Sequence, residues 1–330
     1  MKKYFLLLLF CSLSLRADQF LFQFYNDYFD GKDQHFTNGL ALGWVDNDKN
    51  GEGNRSISSY SDFMLKAVDK IPFVDVSDDN YYTAGASISQ IMITPKKTGR
   101  TTVQYDDLPY AGYLALSMFV FEWDMCCFKE YRLDFGVVGR ESGAEYFQES
   151  FHKMIHEHFP EGWDTQLKTH YTANALFRYG QKSWQKENGN GLEMDWFNQG
   201  GVQLGNFTTD AFAGTMFRFG KKYPHSFNVH YPYLREEAAL LHICEKHKGF
   251  GWSVSTGLNA ELLAYSYILD GAKSEGYHTD KNILNGSLYL GGDLYYNTHK
   301  FTFFYQAQSS YIVSQKGIDV FGGVIYAYQF

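Results

Sequence analysis

Asn26, Asp27, Asp30, Asp33, His35, Thr37 and Asn38 crowd into the stretch 25–43, which reads YNDYFDGKDQHFTNGLALG. A plain connection between two strands needs no such density of carboxylates and amides. Asn26, Asp27, Asp30 and Asp33 offer hard oxygen donors of the kind calcium takes, although their spacing is not that of an EF-hand. The bland alternative is a solvated acidic loop. His35 and Thr37 stand two apart and share a face if the segment is a regular strand. A threonine hydroxyl beside an imidazole is one form of activated nucleophile. Equally, Thr37-Asn38-Gly39 can simply begin a strand.

A second group lies at 140–168, where the spacing predicts a helix over 142–158. Glu145, Gln148, His152 and Ile155 share one face of it, and Phe147, Phe151, Met154 and His158 share another. Gln148 and His152 are an i,i+4 pair, so both side chains can reach one point. A polar row beside an apolar row suits a helix lying against a wall near a membrane interface. The alternative is an ordinary amphipathic lid with a solvent-exposed histidine. His152, His156 and His158 do not make a helical zinc site, because that arrangement needs H-E-x-x-H and position 153 is Lys. Lys96, Lys97 and Arg100 in the loop 94–109 put positive charge into an acidic chain. They form a solvated basic loop or a partner for phosphates.

The elements that must position these groups are strands. With 26 Tyr, 29 Phe and 31 Gly against 6 Pro, aromatics reach 18% and long apolar runs are few. That composition suits many strands with one face toward lipid. Twelve strand-like runs follow one another, at 19–28, 36–46, 81–93, 110–123, 128–139, 169–181, 191–205, 209–220, 250–266, 284–297, 300–313 and 320–330. An even count allows a closed, all-β, antiparallel transmembrane β-barrel, with a short helix in one extracellular loop. The final strand ends on Phe330, an aromatic terminus usual for outer-membrane barrels.

Alternation supports this reading unevenly. Phe301, Phe303, Tyr305 and Ala307 fall on one face, and Thr302, Phe304, Gln306 and Gln308 on the other. Phe20, Phe22 and Phe24 lead up to Asn26, and Asn38 heads Leu40, Leu42 and Trp44. Both amides therefore top lipid-facing stripes. Asp27 and Thr37 have the opposite phase and reach the same side only if the strand ends twist or bulge. The run 110–123 alternates poorly.

Residues 1–17 carry Lys2, Lys3, an apolar run and Ala17, the pattern of a signal peptide, with 18–330 as the barrel. Their removal takes away Lys2, Lys3 and Arg16 and no acid, moving the formal charge from −8 to −11. An acidic chain without a basic stripe argues against nucleic acid. Cys126, Cys127 and Cys244 would remain, an odd number that makes no disulfide framework. With the N-terminus in the periplasm, the connections 29–35, 94–109, 140–168 and 267–282 lie outside the cell. Two inner-side connections, 47–80 and 221–249, are long for periplasmic turns, and 236–247 has the pattern of a short helix.

Taken together, YND at 25–27, FTNGLALGW at 36–44, DDLPYAGYL at 106–114 and GAEYFQESFHKMIHEHFPEGWDTQ at 143–166 resemble the outer-membrane lipid A 3′-O-deacylase family. The blocks occur in that family's order. The resemblance implies a monomeric twelve-stranded barrel acting on lipid A, within lipopolysaccharide of the outer leaflet. It implies a calcium-dependent esterase that removes the 3′-linked acyloxyacyl group, between the barrel wall and an outer-loop helix. It carries catalytic roles onto Asn26, Thr37, Gln148 and His152, and calcium ligation onto Asp27. The family's acidic ligand falls at Glu157 or at His158, and its basic loop matches Lys96, Lys97 and Arg100 loosely. Two other readings remain: a phospholipase-like barrel using Thr37 and His35, and a non-catalytic porin or adhesin.

Overall fold

A computed structural model describes residues 18–27, 35–47, 59–71, 80–156, 160–225, 227, 248–315 and 317–330. Twelve antiparallel strands close into a barrel, each paired with its neighbours in sequence and β1 with β12. They are β1 (Gln19–Asn26), β2 (His35–Asn47), β3 (Tyr81–Thr94), β4 (Ala111–Trp123), β5 (Cys127–Val138), β6 (His170–Glu187), β7 (Leu192–Gly205), β8 (Thr208–Lys221), β9 (Phe250–Ser266), β10 (Leu284–Tyr296), β11 (His299–Ser309) and β12 (Ile318–Gln329). All twelve runs expected from sequence are strands. β6 runs six residues beyond 181 and β11 stops at Ser309 rather than 313. The expected signal peptide 1–17 and helix 236–247 lie outside the described residues, as do Asp30, Asp33, Glu157, His158 and Cys244.

Burial alternates along the strands as a membrane barrel requires. Phe301, Phe303 and Tyr305 are exposed on the outside, while Thr302, Phe304 and Gln306 are buried in the lumen. Trp184 pairs across strands with Trp196, and both are exposed near the end that carries the chain termini. Such aromatics mark a membrane–water interface. Three connections at this end are turns of two to four residues (124–126, 188–191 and 297–298), whereas most connections at the other end are longer. Short turns face the periplasm in such barrels, so the end opposite the termini is the outer one.

Side chains fill the lumen. Arg178 is wholly buried and donates to the Glu130 carboxylate, and buried Arg218 donates to Asp195. Lys300 stands 3.2 Å from Asp293 in the same interior. In a water-filled pore these charges would be solvated; here each needs its partner. Toward the outer end Tyr113 stacks on Phe207 at 3.8 Å, and Leu167, Ile268, Leu269, Tyr277 and Ile312 join the same core. Burial in this cap pushes the Tyr277 hydroxyl pKa up to about 12.

Among the described residues two α-helices lie against the outside of the wall. Helix α1 (Ser59–Val68) belongs to the inner-side connection 47–80, whose length exceeds that of a periplasmic turn. It packs Met64, Leu65 and Val68 onto Tyr82, Ala84 and Val120, whose strand phase points away from the lumen. Helix α2 (Ala144–Ile155) lies over the outer ends of β3 and β4. It is shorter than the expected 142–158, because it ends at His156 in the left-handed conformation, φ 61°.

A candidate active site outside the barrel wall

The strand register places four residues in one row across the outer rim. Asn26 on β1 faces Asn38 on β2, Asn38 faces Met92 on β3, and Met92 faces Gly112 on β4. Their phase points away from the lumen, as it does for the half-buried Leu40, Leu42, Leu114 and Leu116 lower on the same strands. Side chains directed at lipid are normally exposed, yet Asn26, Asn38 and Met92 are buried. Helix α2 supplies part of the cover. A Cβ on Gly112 would lie 2.1 Å from Ser142 Oγ and 2.3 Å from the Cβ of Ala144, so only glycine lets the helix start this close. One row lower, the Gln90 amide donates to the Ser142 carbonyl just before the helix. Gly143, with φ 71°, turns the chain into it.

The helix face directed inward is the reverse of the one an aqueous helix would bury. Gln148 and His152 are buried, one turn apart, whereas Tyr146 and Phe147 are exposed. In a bilayer, lipid solvates the apolar row. His152 is 8% exposed, which removes the reading of a lid with a solvent-exposed histidine.

After α2 the chain returns under the loop 94–109. Trp163, buried and within 5.1 Å of the Tyr110 ring, donates from Nε1 to the Gln148 carboxamide oxygen at 2.7 Å. That bond fixes the amide, leaving Nε2, which is buried and has no hydrogen-bond partner among the described residues, as a donor within the site. The Tyr110 hydroxyl donates to the Thr98 carbonyl, which also accepts from the amide of Glu161. The basic loop is thereby tied to the Trp163 segment. Lys96, Lys97 and Arg100 are exposed on that loop, and Asp107 accepts from the backbone of Lys96. On the far side of the helix, a hydrogen bond from Thr169 holds the Glu141 carboxyl below its ordinary pKa.

The opposite phase of Asp27 and Thr37 is resolved by the backbone. The β2–β3 register shifts between Phe36 and Asn38, which makes Thr37 the extra residue of a β-bulge. The expectation that His35 and Thr37 share a face assumed an unbroken ladder, and the ladder breaks at that point. Asp27 follows the last residue of β1 in a helical turn and is buried. A buried carboxylate must face a cation or hydrogen-bond donors. Asp27 beside the Asn26 amide presents oxygen donors only, which suit a hard cation in kind. Among the described residues no three His, Cys, Asp or Glu side chains converge as a metal site. Gln90, Tyr110, Gly112 and Trp163 were not singled out in the sequence. Of these only Tyr110, Gly112 and Trp163 fall inside the blocks that carry the family resemblance, and Gln90 gave no such signal.

Comparison with known proteins bears on the whole chain. Among solved structures, LpxR from Salmonella typhimurium superposes with a TM-score of 0.75 at 14% identity, covering 94% of this chain and 100% of that one. The beta domain of the Bordetella autotransporter BrkA gives 0.47 at 10% identity, covering 96% and 100%. No curated protein sequence matches. The family model for outer membrane protein LpxR matches residues 4–330. The resemblance read from the sequence is borne out: this chain is an outer-membrane β-barrel and belongs to the LpxR family.

Proposed function

We propose that this protein is a hydrolase of lipid A that releases the 3′-linked acyloxyacyl chain at the outer leaflet, with calcium as its cofactor. The observation that carries the reading is the set of buried polar side chains at the outer rim, Asn26 and Asn38 on the outward row of the wall and Gln148 and His152 on α2, which packs on β3 and β4. A membrane-embedded ester can meet it there without leaving the bilayer. The imidazole of His152 takes a proton from water as the water oxygen attacks the ester carbonyl carbon. The carbon–oxygen bond to the sugar then breaks, and the alkoxide recovers the proton from His152. Gln148, oriented by Trp163, and Asn26 position water or the carbonyl. Thr37 enters through its place at the bulge beside Asn38. Calcium, when bound, supplies polarisation of the carbonyl and charge for the developing oxyanion. Asp27 would hold it, together with Glu157 or another ligand outside the described residues. Lys96, Lys97 and Arg100 would take the lipid A phosphates.

Mass spectrometry of lipid A from cells with and without the gene, grown in calcium or in chelator, tests the reading. Loss of one acyloxyacyl mass only with the gene and calcium is expected; unchanged lipid A in all four cultures would sink it. Two variants probe the support of the site. Trp163→Phe keeps the ring and removes one hydrogen bond of about 1 kcal/mol, so kcat should fall about five- to tenfold with KM little changed. Gly112→Val should lift the first turn of α2, costing more than about tenfold in activity. Heat modifiability on gels would report whether the barrel stays intact in both.

A further inference from the structure

We infer that α1 is an interfacial anchor seated on the inner-leaflet phospholipid of the outer membrane. The outward row of β4 runs Leu114, Leu116, Met118 and Val120, then Glu122. Glu122 accepts from the Asn80 amide and from Lys129, and outward Asp46 on β2 accepts from the Ser61 hydroxyl at 2.6 Å. Apolar wall thus gives way to charge within two residues of Val120, about 7 Å along a strand. That change marks the height at which acyl chains end and headgroups begin. Helix α1 lies at this height, its inner face clamped by Met64, Leu65 and Val68. The hydroxyl of Tyr60 adds a 2.9 Å bond to the Gly85 carbonyl.

Its opposite face is Phe63, Lys66 and Ala67, which at helical spacing span about 100°, and Lys70 follows in the turn after Val68. All four are exposed, Phe63 by 65%. Ile71, at the end of the helix, is 42% exposed. A phenylalanine on that face of a soluble helix would sit in water. Here the helix is flanked by a lipid-facing wall, with Met118 and Tyr131 packed at its border. The face therefore continues the surface that the bilayer already covers. One aromatic side chain between two lysines is the pattern of a helix lying in an interface, with ring toward the acyl region and ammonium groups at the phosphates. Lys66 also reaches Asp62 at 2.7 Å, which holds its head at the rim of the face.

The test uses full-length protein with Cys11, Cys126, Cys127 and Cys244 replaced by serine, in phosphatidylethanolamine–phosphatidylglycerol vesicles. Single spin labels are placed through Phe63→Cys, Leu133→Cys as a lipid-facing control and Asn190→Cys as an aqueous control. A ratio of oxygen to nickel-chelate accessibility at 63 matching that at 133, and several-fold above that at 190, is expected. A ratio matching 190 would overturn the inference, as would protection from both reagents, which would put a protein on this face. Unmodified protein in vesicles carrying a photoactivatable phospholipid gives a second reading without any variant. Adducts on peptides covering 59–71 are expected, and adducts confined to the strands overturn it.

Discussion

If His152 is the general base proposed above, membranes carrying the His152→Ala protein are expected to release acyl chains about 10²–10⁴-fold more slowly than those with the parent. The barrel should remain folded and heat-modifiable, because the imidazole lies outside the wall and its loss opens no gap in the lumen core. Gln148→Ala should cost less, because the role proposed for it is positioning rather than proton transfer. Rates measured on detergent-solubilised substrate with matched amounts of folded protein check both. Full activity in His152→Ala would remove the histidine from the mechanism. A dead His35→Ala protein with an acylated Thr37 would transfer the chemistry to the threonine.

Asp27→Asn has the second large expected effect. The substitution keeps the shape of the side chain and removes its charge, so packing at the end of β1 is preserved. If Asp27 holds a cation that stabilises the oxyanion, activity should fall about 10²-fold or more. A ligand bound only by the folded state at one hundred times its Kd stabilises by about 2.7 kcal/mol. Calcium should therefore raise the melting temperature of the parent protein, a chelator should reverse the rise, and the Asp27→Asn protein should respond to neither. An equal calcium response in parent and variant would exclude Asp27 as a ligand, whatever the rates show.

The strands were legible because lipid outside and packed side chains inside impose a period of two on most of them. β4 was not, and the structure gives the reason. Its outward row, Leu114, Leu116, Met118 and Val120, is apolar toward lipid and α1, and its inward row carries Tyr113, Ala115, Phe119 and Phe121 into the packed lumen. With apolar residues on both faces, the alternation weakens in the sequence. Helix α1 leaves a faint mark in the sequence, because Met64, Leu65 and Val68, with Tyr60 beside them, are few apolar contacts in a polar connection. The spacing over 142–158 marks helix α2 and its two rows but not which row meets the wall, since amphipathicity names two faces without naming the solvent beside each.

The site was legible by residue type and less so by support. Asn26, Asp27, Gln148 and His152 announce chemistry, and the structure buries all four at the outer rim. The bulge at Thr37 leaves no mark in composition, although the phase mismatch with Asn38 required some break there. Trp163 and Gly112 do their work through one hydrogen bond and one missing Cβ. Neither is chemistry that a list of reactive side chains can reveal.

The paired charges buried inside the barrel also bear on the cell that makes it. Twelve strands around an aqueous interior would open a leak for nutrients, dyes and hydrophilic antibiotics in proportion to copy number. Arg178 locked to Glu130 and Arg218 to Asp195, beneath a cap of stacked rings, make this barrel a solid post. Raising its abundance should therefore leave the uptake of small polar drugs unchanged, so that expression can follow the need for the surface reaction alone.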